Sequence, residues 1–208
     1  MKYFSILIIY FLSLFSHAKN CEFSIENGSQ TLTWTAFKTS KKLGVNGTFN
    51  DFQVIRITPQ KTIDTSIEQW LKNHSFAINV KSVNTKNPQR DKTLFEHFFS
   101  LLKTSIEYTP GDKFITGKLK KIDKDKPGLL MAELDINKVK KAIPMTYSYK
   151  DNWLELKGHI DLLDFNLNDA HKSLHKSCFE LHKGDDGISK TWTDVDLHGK
   201  IKINAKCK

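Results

Sequence analysis

The chain has 208 residues and a formal net charge of +9, carried almost wholly by lysine, with Arg56 and Arg90 its only arginines. Readers of nucleic acid lean on arginine for paired base contacts, and the lysines here are scattered as Lys41-Lys42, Lys120-Lys121 and Lys140-Lys141. That pattern excludes nucleic acid and leaves anionic lipid headgroups or acidic polymers as compatible contacts.

Lys2 precedes an apolar run from Tyr3 to Phe15, and Ser16-His17-Ala18 follows with small residues where a signal peptidase reads. The run is shorter than the ~20 residues of a membrane-spanning helix, and no second long apolar segment follows. The expectation is a signal peptide over 1–18, cleaved after Ala18, and a periplasmic or secreted protein beginning at Lys19. An uncleaved anchor is the alternative; no Cys follows Ala18, which argues against a lipoprotein. Cleavage leaves 190 residues (208 less 18) and removes one lysine and no acid, a size that fits one domain over 19–208.

Two-residue alternation then dominates. Phe23 and Ile25, and Leu32, Trp34 and Ala36, flank Asn27-Gly28, a hairpin signal. Val45–Phe49 follows, then Phe52, Val54 or its neighbour Ile55, and Ile57; Phe76, Ile78 and Val80 alternate next. Further strands are expected at Ser105–Tyr108, Phe114–Ile122 and Leu129–Asn137. Ile143–Tyr149 and Trp153–Leu163 form a pair across Lys150-Asp151-Asn152, and Val195 to Ala205 closes the series. Many short strands on tight turns predict an antiparallel barrel or sandwich.

Three segments carry helical periodicity instead: Ser66–Asn73, Asp91–Lys103, and Asn168–Lys183 with its stripe Leu167, Ala170, Leu174, Cys178 and Leu181. Cys21 opens the first strand and Cys207 ends the last. In a closed barrel those strands are neighbours, which favours a Cys21–Cys207 disulfide; Cys178 reads as a buried thiol, and three reduced thiols are the alternative.

An eight-stranded barrel has room for one small ligand, and 14 Phe, 4 Trp and 5 Tyr supply apolar lining. Burial of a long hydrocarbon contributes about 25 cal/mol per Å2, so such a cavity binds without a polar anchor. For any single Phe, an ordinary place in the core is the simpler reading.

The ordered set Trp34-Thr35-Ala36-Phe37-Lys38, Gly44-Val45-Asn46-Gly47-Thr48-Phe49, Asn87-Pro88-Gln89-Arg90-Asp91, the apolar helix ending in Phe98-Phe99, Gly158-His159-Ile160-Asp161 and Leu163-Asp164-Phe165 resembles the YceI-like family. The resemblance covers essentially the whole mature chain. It implies a mainly β, antiparallel, lipocalin-like barrel with short helices closing one end, and a polyisoprenoid or other long-chain amphiphile inside. Lining candidates are Phe37, Phe49, Phe76, Leu94, Phe95, Phe98, Phe99, Phe114 and Phe165. Arg90, matching with Asp91 the family's Arg-Asp pair, is the head-group candidate, but a structural role is the favoured reading for both: Arg90 can pair with a carboxylate and Asp91 suits a helix N-cap. The sequence departs from the family pattern over Asn168–Lys183 and Gly184–Trp192.

Other chemistry is thinly represented. His171 and His175 lie one helical turn apart, with Cys178 and His182 near, a spacing that can chelate a metal and that supports a metal or redox accessory role as one alternative. No nucleophile elbow or phosphate loop occurs, Asp161 with Asp164 and Asp185 with Asp186 read as turn residues, and no calcium loop is present. The expectation is therefore a binding protein without a cofactor. The other alternative is an enzyme on an isoprenoid or quinone-like substrate using Arg90, His97 or His171. Transient contact with an anionic membrane, and a homodimer, are compatible with the sequence.

Overall fold

The computed structural model describes residues 21–58, 64, 66–104 and 112–207, the last by its backbone alone. The leader, Lys19 and the strand expected at Ser105–Tyr108 lie outside the described residues. Eleven strand segments follow in chain order: β1 (Cys21–Ile25), β2 (Thr31–Lys38), β3 (Leu43–Phe49), β4 (Phe52–Arg56), β5 (His74–Asn79), β6 (Val83–Asn84), β7 (Phe114–Ile122), β8 (Leu129–Ile136), β9 (Val139–Lys150), β10 (Trp153–Asp161) and β11 (Thr191–Cys207). Helix α1 (Ile67–Lys72) joins β4 to β5, α2 (Pro88–His97) follows β6, and α3 (Asn168–Ser177) precedes β11.

All pairings are antiparallel, and the sheet runs β4-β5-β7-β8-β9-β10-β11-β2-β3-β6, with β1 also on β11. The two ends of that path meet. β3 bends at Asn50-Asp51 into β4, and β5 passes through a 3-10 turn (Val80–Ser82) into β6. Their shared ladder continues round the corner through Asn50 N donating to the Ser82 carbonyl at 2.9 Å and Asn79 N to the Asp51 carbonyl at 3.1 Å. Taking β1 with β2, β3 with β4 and β5 with β6 as single broken strands, eight strands curl into a barrel. Closure satisfies backbone groups that an open edge would leave bare.

Alternation makes the inside. In β8, Leu130, Ala132, Leu134 and Ile136 are all buried while the residues between them are half-exposed. In β2, Leu32, Trp34 and Ala36 point inward by the same two-residue period. Two glycines let large rings lie flat on the wall: a Cβ at Gly47 would overlap the Trp34 ring, and one at Gly117 would overlap the Phe76 ring.

The Asn27-Gly28 hairpin is not formed. β1 and β2 do not pair with each other; both lie along the 17-residue β11, at 203–207 and 191–200. Residues 26–30 make a jog held by Glu26 N on the Lys202 carbonyl (2.9 Å) and by Lys202 N on Ser29 Oγ (3.0 Å). Gly28 supplies the positive φ of 75° that the jog requires. A partner strand long enough for both segments removes the need for a reversal.

Helix α2 begins at Pro88 with Asn87 as its N-cap, whose side chain accepts from Arg90 N at 3.0 Å. Asp91 is therefore not the cap. Its Oδ1 accepts from Thr85 N (2.8 Å) and from Thr85 Oγ1 (2.5 Å), tying the first turn of α2 to the preceding loop. Helices α2 and α3 cover one end of the barrel and α1, at the opposite end of β5, stands at the other.

Candidate ligand cavity

The barrel holds a cavity of about 240 Å3, walled by Leu32, Trp34, Ala36, Val54, Phe76, Leu119, Ala132, Leu134, Met145, Leu156 and Leu197 among others. Toward one end, Leu94, Phe98 and Phe99 of the α2 region and Leu167, His171 and Leu174 of α3 roof it; toward the other, Trp70 and Leu71 of α1 form the floor. Polar lining groups sit at the ends: His74, Ser75, Lys118 and Lys200 on the α1 side, His171 and Thr191 on the α3 side. The middle of the wall is hydrocarbon, apart from the buried Trp34 indole N–H, which has no hydrogen-bond partner.

Five of the expected lining residues lie on this cavity: Phe49, Phe76, Leu94, Phe98 and Phe99. Phe49 and Phe99 meet edge-on at 5.7 Å, and Phe98 and Phe99 at 5.2 Å, so the three rings form one aromatic roof. Phe37, Phe95, Phe114 and Phe165 are placed elsewhere. Phe37 alternates with inward Trp34 and Ala36 and sits outside, with the Lys42 ammonium 4.8 Å above its ring. Phe114 alternates with Ile115, which lines the cavity. Phe95 packs half-buried against the core, and Phe165 is fully buried in the 3-10 turn Leu162–Phe165.

Arg90 does not line the cavity. Its Nε donates to Thr85 Oγ1 at 2.8 Å and its Nη2 to the Thr85 carbonyl at 2.9 Å, so it completes the clamp that Asp91 makes on Thr85. Lys118 and Lys200 belong to the wall by position, but each alternates with inward residues, Lys118 with Leu119 and Lys200 with Gly199 and Ile201, and their ammoniums pair on the barrel's outer face, Lys118 with Glu133 at 3.7 Å and Lys200 with Glu155 at 3.1 Å.

The three histidines of the α3 region converge on one residue. His171 Nε2 donates to the Thr191 carbonyl at 3.0 Å, and His175 Nδ1 and His182 Nδ1 contact Thr191 Oγ1 at 2.9 and 2.6 Å. The hydroxyl has one proton, so it donates to one imidazole and accepts from the other. Burial, with Lys38, His175 and His171 adding positive charge around it, lowers His182 to about 4, which keeps the ring neutral near pH 7. Burial also pushes the Cys178 thiol up. Among the described residues no group of three or more His, Cys, Asp or Glu is arranged to hold a metal ion. Asp161 accepts from Leu163 N and Thr193 Oγ1, and Asp185 pairs with Lys41, so these carboxylates hold turns. His97, in the last turn of α2, is not on the cavity.

Cys21 is disulfide-bonded, Cys178 is free, and the β1–β11 register sets Cys21 opposite Cys207.

A closed antiparallel barrel with an apolar interior and helical ends is a lipocalin-like barrel. The chain belongs to the YceI-like family, whose domain it matches over residues 23–204. Among solved structures it is similar to a polyisoprenoid binding domain from Saccharophagus degradans implicated in plant cell wall breakdown, with 13% identity, 88% of this chain and 98% of that one covered, and a TM-score of 0.59. It is also similar to BcnA of Burkholderia cenocepacia, with 10% identity, coverage of 87% and 99%, and a TM-score of 0.54. Among curated proteins nothing matches.

Proposed function

We propose that the protein is exported and carries a polyisoprenoid or similar long-chain amphiphile in its barrel, performing no chemistry on it. One observation carries this reading: the barrel interior is a continuous hydrocarbon-walled cavity whose polar groups stand only at its two ends, apart from one unpartnered indole N–H. A chain of isoprene or methylene units is the ligand such a wall favours, since its burial needs no partner for polar atoms. The solved relative described as polyisoprenoid-binding supports the same class of ligand. The apolar leader with Ser16-His17-Ala18 supports export to the periplasm or medium, where a Cys21–Cys207 bridge would form and persist.

The test is native mass spectrometry of protein purified gently from its own cells, followed by extraction of bound molecules. The expected result is a stoichiometric prenyl or acyl lipid. Protein that is repeatedly empty, and that takes up no prenyl lipid from solution, would overturn the reading.

A further inference from the structure

The lobe beside α3 exposes apolar side chains that the core leaves unused. Phe179, Leu181 and Ile188 are 45%, 72% and 58% exposed, and Leu43, the first residue of β3 beside the adjoining β2–β3 turn, is 57% exposed. These are four of the eight large exposed hydrophobics among the described residues. The two turns are one surface: Lys38 Nζ donates to the Leu181 carbonyl (3.2 Å), Thr39 N to the Lys190 carbonyl (2.9 Å), and Lys41 meets Asp185 at 2.6 Å.

Lysines surround them. Across α3 and the segments 38–43 and 179–190, Lys38, Lys41, Lys42, Lys172, Lys176, Lys183 and Lys190 stand against Asp169, Glu180, Asp185 and Asp186, seven cations to four carboxylates. Asp194 on neighbouring β11 pairs with Lys42, which leaves a net positive face, and His182 is neutral near pH 7. Lysine is depleted from protein–protein interfaces, whereas projecting Leu, Ile and Phe among lysines suit the boundary between headgroups and acyl chains of an anionic bilayer. Beneath this face lie Thr191, Trp192 and His171, all lining the cavity.

We infer that the face formed by Leu43, Phe179, Leu181 and Ile188 docks on an anionic lipid surface and sets the α3 end of the barrel against it for lipid exchange. The inference rests on the carrier reading above for its purpose, but vesicle binding is measured independently of lipid loading.

The experiment is co-flotation of the full mature chain with vesicles of phosphatidylglycerol and phosphatidylethanolamine, or of phosphatidylcholine alone, at low and high salt. The wild type is expected to bind the anionic vesicles more tightly, and less so in salt. Leu181→Glu with Ile188→Glu is expected to weaken that binding at least about tenfold, the equivalent of one buried aliphatic side chain. Lys41→Glu with Lys183→Glu is expected to flatten the salt dependence. Both variants should melt as the wild type does and keep the prenyl-lipid mass in native spectra. Wild-type protein that carries lipid yet ignores anionic vesicles overturns the docking face and leaves the carrier reading standing. A Leu181→Glu, Ile188→Glu variant that binds vesicles undiminished overturns it as well, and so does a wild-type dimer abolished by the same pair, which would give the face to a second copy.

Discussion

Trp34 and Gly47 show how a single side chain shapes the interior. The indole lies flat where a Cβ would stand, so Gly47→Ala forces either the ring or the strand to move. Such overpacking should cost about 1–3 kcal/mol, read as a lower urea midpoint at unchanged slope. His182 makes a second prediction. Its folded-state value near 4 lies below the ordinary 6.5, so the unfolded chain binds the extra proton first as pH falls. Its contribution to stability is whole above pH 6.5 and is lost progressively down to about 4, on the order of 2–3 kcal/mol at the bottom of that window. Denaturation midpoints at pH 7 and pH 5 should therefore converge in His182→Asn relative to the wild type. Equal pH dependence in the two proteins would show that other groups govern the acid limb.

Among the elements, α2 depends on contacts that its own apolar face does not provide. It buries no residue fully, and its position is fixed by the Thr85–Arg90–Asp91 clamp and by the aromatic roof after its last turn. Thr85→Val leaves Asp91 Oδ1 and Arg90 Nε without their shared hydroxyl at a buried site, which should cost about 1–3 kcal/mol. Hydrogen exchange should locate that loss in the amides of α2, with β8 to β10 little changed. The strands were more legible than the helices' roles. The strand expected over Leu129–Asn137 is present as β8, but Asn27-Gly28 offered a turn that the neighbouring 17-residue strand turned into a jog. Local turn chemistry permits a hairpin; the pairing partner decides whether one forms.

On the scale of the whole molecule, the cavity can be plugged without touching its ends. Ala132 lines it from the middle of β8, so Ala132→Trp should abolish uptake of prenyl lipid while the barrel still melts cooperatively. Retained uptake, measured by native mass spectrometry, would place the ligand elsewhere. The cavity is also where inference from sequence stopped short. Phe49, Phe76, Leu94, Phe98 and Phe99 were recognisable as lining candidates by being large and apolar, but size could not tell Phe37, which faces outward beneath Lys42, from Trp34, which faces in. Arg90 carried the right charge for a head group, but its engagement with Thr85 fits the structural role that the sequence favoured for it and for Asp91.

The linear order of residues determined what each strand could bury, because a two-residue period sorts side chains to two faces before any partner is chosen. It also carried enough ordered detail to indicate the YceI-like family. Which face became the inside, which segments became neighbours, and whether the interior stayed hollow were decided only when eight strands closed on one another. Those properties depend on distances between residues far apart in the chain, and on the balance between ring size and barrel radius, which no local pattern encodes.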